Sequence, residues 1–263
     1  MIKRYLKILS QCLLVFIAGL AVTSLVVVGK VQSQRVPSSS EMVKNLTVSD
    51  AHAASTKKAV KKSSQSAVRI LSWGPNVGDV SISSGTYFTY EDTHYVITVQ
   101  HGITIPLCDL IQIEADGVMT TCEEVVDINA DTDYALLEVS PMANRTAIRF
   151  PQDFVRTYRG WRKSVSILHP LVYTGYPNTI GPVTLSGKIM GVAPDELIYF
   201  NSYAWAGSSG SGVFNLKGKF VGYIMAIDVG HTEYGYDVLE NVILVVPHYQ
   251  IDWGAILKRK SQQ

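Results

Sequence analysis

Cysteine is scarce in this chain, with three in 263 residues. That excludes a small scaffold built on disulfide staples. No Cys/His spacing fits a metal site, so no metal is expected, and no other cofactor is implied. Long helical periods are missing from residue 67 onward, and no internal repeat is legible, which excludes helical bundles and solenoids. Cations are also sparse in the C-terminal part: residues 70–263 carry twelve Lys/Arg against twenty Asp/Glu. An acidic globule of that kind argues against nucleic acid as its main partner. Residues 30–66 contain no aromatic residue to seed a core.

What is present divides the chain into three. Residues 1–69 carry eleven Lys/Arg against Glu41 and Asp50 alone, so a basic tail precedes the acidic globule. Within the tail, residues 8–29 run for 22 positions without a charge. As a helix that run spans roughly 33 Å, enough to cross a bilayer. The reading is a transmembrane helix in 1–29 retained as an anchor; a cleaved signal segment or a buried core helix are the alternatives. Lys3, Arg4 and Lys7 lean towards a cytoplasmic N-terminus with the globule outside, or secreted if the segment is cut. Residues 30–66, rich in Ser, Lys and Ala, read as a flexible, solvated linker.

From residue 67 short apolar or alternating runs recur about every 8–12 residues between Gly, Pro, Asn and Asp, the pattern of an all-β sandwich or barrel. Candidate strands are Val68–Ser72, Val80–Ser83, Gly85–Tyr90, His94–Val99, Leu110–Glu114, Glu123–Ile128 and Tyr134–Val139. A second set is Ser164–Leu168, Leu171–Gly175, Val183–Met190, Leu197–Asn201, Gly212–Asn215, Phe220–Asp228 and Asn241–Val246. Between them, 141–162 is charged and aperiodic. After Pro247, Tyr249–Lys258 has the apolar spacing of a short helix. Cys108 and Cys122 flank a predicted strand and either pair across a hairpin in an oxidising compartment or stay as two reduced thiols.

Three segments carry chemistry. An apolar strand runs into His101-Gly102, Asp133 opens the apolar strand Tyr134–Val139, and Ser209 lies in Gly207-Ser208-Ser209-Gly210-Ser211-Gly212. A serine hydroxyl needs a nearby base to act as a nucleophile at neutral pH. Imidazole is such a base, and a carboxylate behind it fixes its tautomer. An oxyanion needs aimed N–H donors, which approach closely only where a side chain is missing.

In these segments and their order the chain resembles the trypsin-like (chymotrypsin-fold) serine peptidases. It is closer to their HtrA, glutamyl-endopeptidase and viral polyprotein branch than to digestive trypsins. The resemblance covers roughly residues 67–258. It implies an all-β fold of two six-stranded antiparallel β-barrels with a short C-terminal helix. The first barrel would occupy about 67–140, a connector 141–162 and the second barrel about 163–248, within a peptidase domain 67–263. It further implies a serine endopeptidase acting on protein or peptide substrates through an acyl-enzyme, or an esterase using the same triad. The rival from another class is an inactive module that binds peptides without cutting them.

The residues carried over are His101 as base, Asp133 as its orienting acid, Ser209 as nucleophile, and the amides of Gly207 and Ser209 as oxyanion donors. Asp131 and Asp127 compete with Asp133, and Ser208 and Ser211 with Ser209. Tyr203, Met225 and Ala226 are expected to line the primary substrate pocket, which without an acid or base suits an apolar or small side chain. His94, His169, His231 and His248 read as structural or solvated. Ser208 stands where zymogen-type members carry an acid, which argues against activation by a freed N-terminus.

Overall fold

The computed structural model describes residues 51–257, apart from 77, 156–157 and 234. The first barrel comprises β1 (Ala67–Trp73), β2 (Val80–Tyr90), β3 (Thr93–Thr98), β4 (Ile111–Ala115), β5 (Val118–Asn129) and β6 (Tyr134–Val139). These pair in the order β1-β4-β5-β6-β3-β2, and β2 pairs back onto β1, so all six antiparallel strands close into a barrel. A two-residue strand, β7 (Ile148–Arg149), adds to β2 in parallel. The second barrel comprises β8 (Pro170–Gly175), β9 (Val183–Val192), β10 (Ile198–Asn201), β11 (Gly212–Asn215), β12 (Phe220–Thr232) and β13 (Gly235–Pro247), closed in the order β10-β13-β12-β11-β8-β9.

Continuous apolar runs such as Tyr134–Leu137 arise because their strands have no solvent side. Successive side chains point to opposite faces of a strand. On β2, Tyr87 enters the first barrel's interior while Phe88 joins a cluster on the seam between the barrels. Val96 and Ile97 divide in the same way on β3, as do Leu137 and Leu136 on β6. The seam is aromatic: Phe154 from the connector packs against Phe88, Phe220 and Trp253, with ring centroids 6.0, 4.8 and 5.3 Å away. Val80–Ser83 and Gly85–Tyr90, read as two strands, form one. Gly85 sits mid-strand because a Cβ there would lie 2.7 Å from Val96 Cγ1.

Three expectations are corrected. Residues 51–66 of the supposed flexible linker form a helix, α1 (Ala51–Ser66), docked against β8 and β11. Its inner face is made of small residues, with Ala59 and Val60 against Val172 and the Ser63 hydroxyl bonded to Thr174 Oγ1 at 2.9 Å. Such residues let a helix approach a sheet closely without any aromatic residue to anchor it. The Lys62 ammonium pairs with Asp153, and the carbonyl of Gln65 accepts the Thr146 amide at 2.9 Å. Among the described residues, 51–66 are therefore packed onto the barrel rather than forming a solvated linker.

Ser164–Leu168 is not a strand. Its first residue ends α2 (Tyr158–Ser164), whose Trp161 is buried together with Val165 four residues on, one helical turn rather than a strand alternation. Ile167 and Leu168 face solvent, 64% and 68% exposed. The terminal helix is shorter than Tyr249–Lys258: a 3-10 turn covers His248–Gln250, and α3 spans Gly254–Leu257. Cys108 and Cys122 are joined as a disulfide. Among the described residues no helix is long and apolar enough to cross a membrane, and residues 8–29 lie outside them.

Candidate active site

β3 and β6 are antiparallel neighbours, with Thr98 opposite Ala135, so the residues after β3 and those before β6 emerge side by side. The turn before β6 is built on Asn129, whose Oδ1 accepts the amides of Asp131 and Thr132, each at 2.9 Å. Asp133 ends that turn at φ +53°, a left-handed conformation that Asp adopts more readily than most residues. Its Oδ1 accepts the backbone N–H of His101 at 2.9 Å, and its Oδ2 lies 2.7 Å from the ring Nδ1. A carboxylate only accepts, so Nδ1 carries a proton, and in the neutral ring the lone pair is therefore on Nε2. The Gln100 amide, donating to the Asp133 carbonyl at 3.1 Å, completes the clamp. The imidazole is 51% exposed and the carboxylate 14%: a reachable ring over a sheltered carboxylate.

The second barrel steadies this turn. Tyr223 of β12 donates its hydroxyl to the Thr132 carbonyl at 2.6 Å. Burial, and then the charge of Asp133, push that phenol's pKa up. The rival carboxylates are placed elsewhere: Asp127 accepts the Tyr134 hydroxyl at 2.6 Å, and Asp131 is exposed.

Ser209 lies in the loop before β11, where each successive carbonyl is held. Ala206 O accepts the Asn178 amide at 2.7 Å, and Gly207 O accepts the Ser84 hydroxyl at 2.7 Å. Ser208 O accepts both the amide and the hydroxyl of Ser211, at 3.1 and 2.6 Å. Ser209 O accepts the Ser84 amide at 2.8 Å. The amides of Ser208 and Gly210 donate to Trp205 O and Ile224 O, at 2.8 and 2.7 Å. Among the described residues the amides of Gly207 and Ser209 donate to no acceptor. Glycine is required twice: Gly207 has φ +91° and Gly210 φ +87°, and a Cβ on Gly210 would lie 2.0 Å from the Ser84 carbonyl oxygen.

Both halves meet at the middle of β2. A Cβ on Gly102, next to His101, would lie 2.6 Å from the Ser83 hydroxyl, and Ser84 bonds the Ser209 carbonyl. His101 and Asp133 are thus joined directly, and the Ser209 backbone is joined to the same barrel. Among the described residues no hydrogen bond links the Ser209 hydroxyl to His101. The three pocket residues are not brought into contact with one another by a hydrogen bond or ring stack among the described residues. Tyr203 is exposed and stacks on Trp205 at 6.3 Å, whereas Met225 sits at a β-bulge and packs on the aromatic seam. His248 is buried with Nε2 bonded to the Val155 carbonyl at 2.8 Å, and His94 Nδ1 bonds the Tyr87 hydroxyl.

Ser84 and Asn178, which hold the Ser209 loop, are not singled out by the sequence, and Ser211, which also holds it, is weighed there only as a rival nucleophile. The one local signal was Pro177-Asn178, a turn dipeptide whose Asn takes φ +47°.

Two closed antiparallel barrels, with a carboxylate-held imidazole on one and a glycine-bracketed serine on the other, define the double-barrel peptidase class. The sequence matches the family model of the trypsin-like peptidase domain over residues 83–222, more than half of the chain, and the chain belongs to that family. Solved structures share the fold. A serine endoprotease from Yersinia pestis aligns at TM-score 0.58 and 17% identity, covering 81% of this chain and 67% of its own. The HtrA-type protease AlgW, solved with a tripeptide, aligns at 0.57 and 17%, covering 78% and 62%. The Rv3671c protease from M. tuberculosis, in an active form, aligns at 0.57 and 17%, covering 80% and 86%. No curated protein matches the chain.

Proposed function

We propose that the chain is a serine endopeptidase acting on protein or peptide substrates. His101 Nε2 takes the Ser209 proton as Oγ bonds to the scissile carbonyl carbon. The amides of Gly207 and Ser209 receive the developing oxyanion, and the imidazolium, steadied by Asp133, returns the proton to the leaving amine as the C–N bond breaks. Water then hydrolyses the acyl-enzyme through the same base. The observation that carries this reading is the pair of hydrogen bonds from His101 to the two oxygens of one carboxylate. They orient the ring in the tautomer a base requires. An apolar or small residue at the cleavage point, met near Tyr203, Met225 and Ala226, is part of the reading.

A membrane tether through residues 8–29, with the domain on the extracytoplasmic side, belongs to the same proposal. The Cys108–Cys122 disulfide supports it, because disulfides persist in oxidising compartments.

The test is labelling of the purified chain by a fluorophosphonate, beside Ser209→Ala. Labelling of the parent and not the variant is expected, with peptide hydrolysis falling by about 10⁶-fold in the variant. A folded parent that never labels would remove the peptidase reading in favour of peptide binding.

A further inference from the structure

The hydroxyl of Ser84 has a place in this site that its position, in the middle of a strand of the opposite barrel, does not announce. Ser84 is fully buried, and every polar atom it has is engaged. Its Oγ accepts the Tyr176 amide at 2.8 Å and donates to Gly207 O at 2.7 Å. Its amide donates to Ser209 O at 2.8 Å, and its carbonyl accepts Thr98 Oγ1 at 2.7 Å. One residue of the first barrel thus holds two carbonyls of the second barrel's nucleophile loop.

The peptide unit between Gly207 and Ser208 lies directly between the two units whose N–H groups lack acceptors. Its neighbours are held from their own side: Ala206 O by the Asn178 amide and Ser208 O by Ser211. The Gly207–Ser208 unit is the weak point, because Gly207 has no side chain to restrict its rotation. Its amide does bond Trp205 O at 2.8 Å, but that bond stays within the loop and moves with it. The Ser84 hydroxyl is the contact that ties its carbonyl to the rigid barrel.

We infer that Ser84 is a positioning residue: its hydroxyl relays the Tyr176 amide to the Gly207 carbonyl and so keeps the Gly207 and Ser209 amides aimed at one point. It touches no substrate and moves no proton. Its effect appears when negative charge builds on the carbonyl oxygen, since donors that must first reorient stabilise a transition state less. The inference rests on the serine-peptidase reading above.

The experiment is Ser84→Ala in the full chain, read four ways. Fluorophosphonate labelling and kcat are expected to fall together, by about 10- to 100-fold, short of the loss from deleting an oxyanion donor outright. KM for a peptide substrate should stay within about twofold, since ground-state binding does not use the oxyanion donors. The acid limb of the pH–rate profile should not move. The melting temperature should hold to within a few degrees. If Ser84→Ala melts early, Ser84→Cys keeps the buried volume while giving up most of the hydrogen bond, and the same kinetic split is expected of it. Labelling at the parent rate, a loss confined to KM, or a shifted acid limb would each overturn the role of Ser84 while leaving the peptidase reading intact. A parent that never labels removes both.

Discussion

The first barrel holds its share of the site with side chains, and the second holds its share with peptide groups. On the first, one carboxylate grips both the backbone and the ring of His101. On the second, four consecutive carbonyls from Ala206 to Ser209 are pinned, and the two unmatched amides are what remains. A side-chain contact is lost by one substitution and leaves the backbone in place. A peptide-built site is lost by anything that lets a peptide plane turn, including changes outside the loop. The halves should therefore fail differently: the first by chemistry at one residue, the second by geometry.

The largest break expected on the side-chain half is Asp133→Asn. The amide NH₂ would face Nδ1 and force the opposite tautomer, putting a proton on Nε2. A fall of about 10⁴-fold in kcat is expected, with folding intact by circular dichroism. Asp131→Asn, two residues away, should leave kcat within about twofold; the reverse ranking in steady-state assays would reassign the orienting acid.

A smaller effect tests how far the first barrel's scaffold matters to its half. The Cys108–Cys122 disulfide ties the segment that follows His101 to β5. Replacing both cysteines by serine should cost about 3 kcal/mol of stability, read from urea unfolding. The active-site labelling rate at 25 °C should change little, because the His101 clamp lies beyond the closed loop.

The smallest effect belongs to the second barrel and the seam, through pH. Burial pushes His248 down to about 4, against the pull of its bond to Val155. An unfolded histidine titrates near 6.5, so as pH falls below that value the unfolded chain takes up a proton that the folded one refuses. Stability present above pH 6.5 should shrink as pH drops towards 4, by about 2 kcal/mol at pH 5. His248→Gln, which keeps a donor for Val155 O without titrating, should flatten that slope in unfolding curves collected from pH 4 to 7.

The same division explains what could be read from the sequence. His101, Asp133 and Ser209 stood out because side-chain chemistry is written in residue identity, and the apolar runs around them mark strands. Ser84 did not stand out: a serine before a glycine in an apolar strand looks like any strand serine, and its role exists only once a second barrel lies against it. The helix α1 was hidden for a related reason. Its Ala and Ser face looks solvated until Val172 and Thr174 are placed beneath it. Ser164–Leu168 misled because Val165 and Ile167 alternate like a strand, while the deciding residue, Trp161, lies upstream of it.

The two-faced strands carry a further implication, for insertions and deletions. On β2, β3 and β6 odd and even residues belong to different cores, one inside the barrel and one on the seam. Adding or removing one residue within such a strand would send every later side chain to the wrong core, Tyr87 and Phe88 trading places. Substitutions can be absorbed there one at a time, but changes of length cannot. Length variation in this protein is thereby confined to its turns, such as Glu91–Asp92 and Asp116–Gly117, and each barrel can lengthen its loops without altering its strands.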